Sequence, residues 1–268
     1  MFLSKKLFLS TVGFSFNFLN SCDIIIAVIG MRYLYLFLFL LGCAPTLYVM
    51  SGFVFTPIDT GDYTIVTFQR LSDNISPLHI YIEGDGNAFD VHGQPTMDPT
   101  PHGTLVRDLA MRDTSPNVIY MARPCQYVIS ASCSSGDWTT GRFSSEIIDS
   151  MSNAIKQVAG NRPVVLIGYS GGAMISGLVI NKYPEINVRE WITIAGVLNH
   201  ADWTSYFEDM PLHDSVNMNE LPRVPQRHYI ARGDSVVPNE LSQKWVGAGN
   251  LIIIDGATHG NFPNLTLF

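Results

Sequence analysis

Apolar and polar positions along this chain fall into two regimes. Residues 7–41 are almost uniformly apolar, with Asp23 and Arg32 as the only charges, whereas from about residue 61 short β-rich runs alternate with stretches of helical period. The second regime predicts strands at 63–70, 78–83 (LHIYIE) and 117–121, with a turn signal at Ser72-Asp73-Asn74 before the second. A helix is predicted over 102–113, where Leu105, Leu109 and Ala110 share one side. Another is predicted over 144–158, where Ile147, Ile148, Met151, Ile155 and Val158 recur at helical spacing behind Ser144 as a cap. Residues 163–167 (PVVLI) form a continuous apolar run between Arg162 and Gly168, as expected of a central parallel strand. A helix rich in small residues follows over 171–183, and Pro184 stops it.

Later strands are predicted at 191–195, 228–231 and 251–254, with a helix over 239–246. Strand and helix in alternation imply an α/β fold: one mostly parallel sheet covered by helices on both faces. Residues 61–268 carry no repeat, charge block or low-complexity tract and read as a single domain. Residues 199–224, rich in Met, Asp, Asn and Pro and without a clear period, read as an insertion between sheet elements.

The first regime has two readings. Taken whole, 7–41 is long enough for a membrane-spanning helix, although Gly13, Asn17, Asn20, Ser21 and Asp23 interrupt it. Taken from Met31 (MRYLYLFLFLL), it is a short secretory signal with Arg32 as its basic start, and residues 1–30 are then an over-extended gene start. This leader, 1–42, ends at Leu40-Leu41-Gly42-Cys43, which resembles the lipobox of bacterial lipoproteins. The resemblance implies cleavage before Cys43, a lipid (palmitate-bearing) anchor on it, export, and residence in the cell envelope, at the outer membrane in a Gram-negative cell. Ala44-Pro45-Thr46 would open a tether over 43–60. The competing reading has Cys43 as a buried thiol at the end of an uncleaved anchor.

Composition adjusts the picture. With 268 residues, 47% hydrophobic and 15% charged, the chain is too apolar for a disordered tail and too long for a disulfide-stapled miniature domain. A net charge of −7 argues against a nucleic-acid partner. Lys5, Lys6 and Arg32 against Asp23 give the leader +2, which leaves −9 on the remaining 226 residues. The raised mean hydropathy, +0.18, therefore belongs largely to the leader. Cys22 and Cys43 fall in or beside it, so Cys125 and Cys133 remain as one potential pair. In an oxidising compartment they read as a local disulfide, with two free thiols as the alternative; a zinc site would want four ligands.

Chemistry gathers where strands end. Gly168-Tyr169-Ser170-Gly171-Gly172 matches G-x-S-x-G between a predicted strand and a predicted helix. The turn is so tight that its flanking residues must be small, and it lifts a strained serine away from the sheet as a nucleophile. The Gly171 amide at the helix start is then placed to stabilise an oxyanion. A nucleophilic serine needs a base and the base an orienting acid. His259 follows the strand at 251–254, and Asp234 follows the strand at 228–231; Asp255 competes with Asp234 but shares the loop of His259.

The order Ser170, Asp234, His259, each just past a strand, resembles the α/β-hydrolase superfamily over roughly residues 78–259. That resemblance implies a serine hydrolase acting on a small acyl substrate, a carboxylic ester by default and a thioester or amide otherwise, with no cofactor and no metal. It also implies a second oxyanion amide after an earlier strand, where Gly84-Asp85-Gly86-Asn87 stands and Glu83 replaces the histidine common in relatives. The amide of Asp85 or Gly86 would donate; the alternative is a plain Gly-Asp-Gly hairpin turn. Residues 88–101 are expected to line the entrance, and 138–143 (WTTGRF) either shape the pocket or simply pack a loop. His92 and His102 lack metal-ligand spacing and read as loop residues. The rival classes are a peptidase of the same fold and a non-catalytic envelope scaffold.

Overall fold

The computed structural model describes residues 50–268, together with the backbone of two short strands in the N-terminal segment, β1 (Ile25–Ala27) and β2 (Leu38–Leu40), which pair antiparallel. Chain contacts separate Met1–Tyr48 from a second compact unit, Val49–Phe268. The predicted signal, Cys22, Cys43 with its lipobox, and residues 43–49 of the tether otherwise lie outside the described residues. Among the described residues no helix is long and apolar enough to cross a membrane.

The second unit is built on one eight-stranded sheet. Its strands are β3 (Val54–Asp59), β4 (Thr64–Leu71), β5 (Leu78–Ile82), β6 (Asn117–Met121), β7 (Val164–Tyr169), β8 (Val188–Ile194), β9 (Gln226–Ala231) and β10 (Leu251–Ile254). They lie in the order β10-β9-β8-β7-β5-β6-β4-β3. The six from β10 to β6 are parallel, and β4 and β3 close one edge antiparallel. The predicted α/β architecture with a mostly parallel sheet is therefore the observed one.

Burial explains the order. Every residue of β5 and β6 is buried, as continuous apolar runs with both faces covered must be. Helix α1 (Leu105–Arg112) packs on β5 and β6, and α3 (Gly171–Lys182) on β7, β8 and β5. Helix α2 (Ser145–Ala159) packs against α3 and begins, as expected, at Ser144, whose hydroxyl accepts from the Ile147 amide at 3.3 Å. From Gly171 to Ile180 every residue of α3 is buried, so the helix has no polar face. Gly177 permits this approach, because a Cβ there would come within 2.8 to 3.0 Å of Met218 and Trp191.

Three expectations need correction. Residues 54–59, read as tether, form edge strand β3 paired with β4, so the sheet begins before residue 61. Pro57 and the exposed Val54 and Phe55 mask it as loop, since an edge strand tolerates proline and need bury little. The segment at 199–224 is not wholly irregular: α4 (His200–Tyr206) starts it, with Asn199 accepting from the Asp202 amide at 2.9 Å. The helix read over 102–113 begins only at Leu105, after Pro101-His102-Gly103, which favours loop. Helix α5 (Asn239–Val246) falls where it was read.

The winding reverses between β5 and β7. From β5 the chain crosses to β6 on one side and then returns past β5 to β7 on the other. In open α/β sheets the crevice at such a reversal, beyond the carboxyl ends of the strands, is where ligands bind.

Candidate active site

Ser170 sits at that crevice, between β7 and α3, with φ +50° and ψ −121°. A non-glycine residue rarely holds this conformation, and the surrounding packing fixes it. A Cβ on Gly168 would come within 2.5 Å of the backbone of Gly172 and Ala173, and one on Gly172 within 2.5 Å of the Ile82 carbonyl. The small residues of the motif are thus dictated by backbone-to-backbone contact.

The three predicted side chains meet. His259 Nε2 is 3.1 Å from Ser170 Oγ, and His259 Nδ1 is 2.9 Å from Asp234 Oδ2. Asp234 has a buried side chain whose other oxygen accepts from the Val236 and Val237 amides at 2.8 and 2.9 Å. Burial alone would raise its pKa, but the hydrogen bonds from His259 and from these amides outweigh it and hold the carboxyl below the usual carboxylate range. Asp255 instead pairs with Arg232 at the surface, which removes it as the competing acid. The loop bearing His259 is fastened by Tyr169, whose hydroxyl donates to the His259 carbonyl at 3.1 Å.

The turn after β5 faces Ser170 and is not a hairpin, since the next strand, β6, pairs with β5 in parallel. The Gly84 N–H donates to Glu83 and the Asn87 N–H to the Pro99 carbonyl. Asp85 and Gly86 are therefore the residues of this turn whose amides donate to no described acceptor. Gly171, first in α3, likewise has no intrahelical acceptor for its N–H. Gly86 has φ +68°, and a Cβ there would strike the Pro99 carbonyl. These are the three amides that the sequence singles out as oxyanion donors.

Several residues escaped the sequence reading. The Asp85 carboxylate, whose charge would oppose an oxyanion at its own amide, is bound by two buried arginines, Arg123 and Arg142, the latter at 3.3 Å. It packs so closely over Gly171 that no Cβ would fit there. Burial would raise its pKa, but Arg142 and Arg123 outweigh this and keep it low. Glu83 is buried and accepts from Gly84 N–H and Tyr120 Oη at 3.0 and 2.9 Å; burial pushes its pKa up to about 7 despite those bonds. Arg123 lies two residues before the loop that the Cys125–Cys133 disulfide closes, with Cα atoms 5.8 Å apart, as the pairing from sequence anticipates.

The main cleft has a volume of about 360 Å³ and runs from Ser170 and His259 past Asp85 and Gly86 to His102 and Leu105. Of residues 88–101, expected along the entrance, only Pro101 lines it, together with Asn87 just before them. His102, read as a loop residue, lines it as well. Among the described residues no group of His, Cys, Asp or Glu is arranged to hold a metal ion.

No family model matches the sequence, and no curated protein matches it. Solved structures do match. An α/β serine hydrolase without a lid from Xanthomonas campestris superposes with a TM-score of 0.51 at 13% identity, over 78% of this chain and 86% of that one. An α/β serine hydrolase homologue from Coxiella burnetii gives 0.50 at 16% identity, over 80% and 92%. A serine hydrolase involved in carbazole degradation gives 0.51 at 14% identity, over 78% and 92%. The fold is that of the α/β-hydrolases.

Proposed function

We propose that the chain is a serine hydrolase that cleaves carboxylic esters at the cell envelope. The observation that carries the reading is the continuous Ser170–His259–Asp234 hydrogen-bond chain, with Ser170 held strained at the mouth of a cleft. The fold it shares with structures described as serine hydrolases supports it.

Ser170 Oγ attacks the acyl carbonyl while His259 Nε2 takes its proton. Asp234, kept ionised, fixes the imidazole with Nδ1–H toward itself and stabilises the imidazolium. The oxyanion of the tetrahedral intermediate is met by the amides of Gly171 and of Asp85 or Gly86. On collapse the acyl–oxygen bond to the alcohol breaks and His259 protonates the leaving oxygen. Water activated by His259 then cleaves the acyl-enzyme and regenerates Ser170.

The envelope part of the proposal rests on the leader and on Cys43. An oxidising compartment suits the Cys125–Cys133 disulfide. The acid-depressed Asp234 and buried charges at the site serve acyl transfer without a cofactor.

Two experiments test this. Purified protein should hydrolyse short acyl esters, and Ser170→Ala should abolish turnover. Activity confined to aminoacyl amides would favour a peptidase, and none on esters, thioesters or amides would favour a scaffold. In cells, labelled fatty acid should mark the wild type but not Cys43→Ser; equal labelling would refute the anchor.

A further inference from the structure

The cleft at Ser170 has a second, smaller branch. A cavity of about 40 Å³ shares Ser170, Asp85 and Val236 with the main cleft and is closed by Arg142, Phe143, His200 and Trp203. Arg142 is 6% exposed. Its guanidinium carbon lies 5.8 Å from the ring centres of both Phe143 and Trp203. Its Nε lies within ion-pair distance of Asp85 but forms no hydrogen bond, and no described residue accepts from its terminal nitrogens. Arg123 differs, because its donors are engaged by Asp85 and by the Arg142 carbonyl.

Two guanidinium groups thus share the Asp85 carboxylate beside Ser170, and the other carboxyl near Arg123, Glu83, is pushed by burial toward its neutral form with a pKa of about 7. Burial lowers the pKa of His200, so its ring adds no counter-charge and no further positive one. A buried cation with unused donors weakens a fold unless something supplies the acceptor. Size and position limit what that is. A water needs roughly 10 to 15 Å³, so the branch of about 40 Å³ holds a carboxylate-sized group and excludes a long acyl chain. His259 lines the main cleft and not the small branch. Because His259 must reach the leaving oxygen, the alcohol occupies the main cleft and the small branch faces the acyl side.

We propose that Arg142 makes this branch an anion-recognising acyl subsite, so that the favoured substrates are monoesters of short dicarboxylic acids. The guanidinium fork donates to the free carboxylate while Ser170, lining the same cavity, attacks the ester carbonyl. The Ser170–acyl bond forms, the acyl–alkoxy bond breaks, and the serine proton passes through His259 to the alcohol. Water then releases the dicarboxylate. The inference rests on the hydrolase reading above.

The test compares monobenzyl succinate with benzyl 4-methylpentanoate, its neutral isostere, by release of benzyl alcohol. The wild type should prefer the succinate in kcat/KM by about 10- to 100-fold. Arg142→Gln should bring the ratio near one, and Arg142→Lys should keep part of it. A wild-type preference for the neutral ester, or a preference that survives Arg142→Gln, overturns the proposal. Should Arg142→Gln not fold, calorimetric binding of both esters to Ser170→Ala decides: tighter binding of the anion supports it, and equal binding overturns it. If the wild type cleaves neither ester, the hydrolase reading fails, and the same binding comparison judges the anion subsite separately.

Discussion

Ser170 and His259, the proposed nucleophile and base, stand on unlike ground. Ser170 rises from β7, whose neighbours β5 and β8 enclose it on both sides, and its turn has no spare volume at Gly168 or Gly172. His259 hangs from the loop after β10, the last strand of the sheet, where Ile252 and Ile253 are exposed and a Cβ on Gly260 would meet nothing within 4 Å. One half of the site is fixed by backbone packing, the other by a hydrogen bond from Tyr169 and one to Asp234.

The largest expected effect falls on the loosely held half. Asp234→Asn keeps the shape but offers an amide to Nδ1, which favours the wrong tautomer; kcat should fall by about 10⁴-fold with little change in thermal midpoint. Retention of most activity would mean that packing, not Asp234, orients the ring. Packing governs the other half. Gly168→Ala should cost about 3 kcal/mol or fail to fold, whereas Gly260→Ala should stay within about 0.5 kcal/mol of wild type, both read by urea denaturation. Equal costs would erase the contrast.

Next in size is the disulfide. Cys125→Ser with Cys133→Ser should lose about 2 to 3 kcal/mol, as expected for so short a loop, and should loosen Arg123 with it. An unchanged denaturation midpoint would contradict this. The smallest effect is a pH slope from Glu83. Its pKa in the folded chain, about 7, lies above the ordinary value near 4.3. Its stabilising share is therefore present in full below about pH 4 and is lost as pH rises toward 7. Glu83→Gln should flatten the decline in stability between about pH 4 and 7; parallel slopes for variant and wild type would contradict the assignment.

Much of the site was legible in the sequence because each triad residue follows a strand that belongs to the sheet. The tight serine turn needs glycines, the order Ser170, Asp234, His259 fits strands β7, β9 and β10, and the disulfide uses the two cysteines left after the leader. Arg123 was not legible as a site residue, because a lone arginine after a strand reads as surface. Arg142 fell in the stretch 138–143, read as either pocket wall or loop packing, and with Phe143 it lines the small cavity at Ser170. Strand β3 and helix α4 hid for a related reason: one is a proline-bearing edge and the other a seven-residue helix with little apolar period. Their stability comes from neighbours rather than from local pattern.

The central claim is that Ser170 is an activated nucleophile. A fluorophosphonate probe followed by peptide mass spectrometry tests it most directly. One adduct per chain on the peptide carrying Ser170, absent from Ser170→Ala and strongly slowed in Asp234→Asn, is the predicted result. No adduct, or one of equal yield in Ser170→Ala, would contradict it.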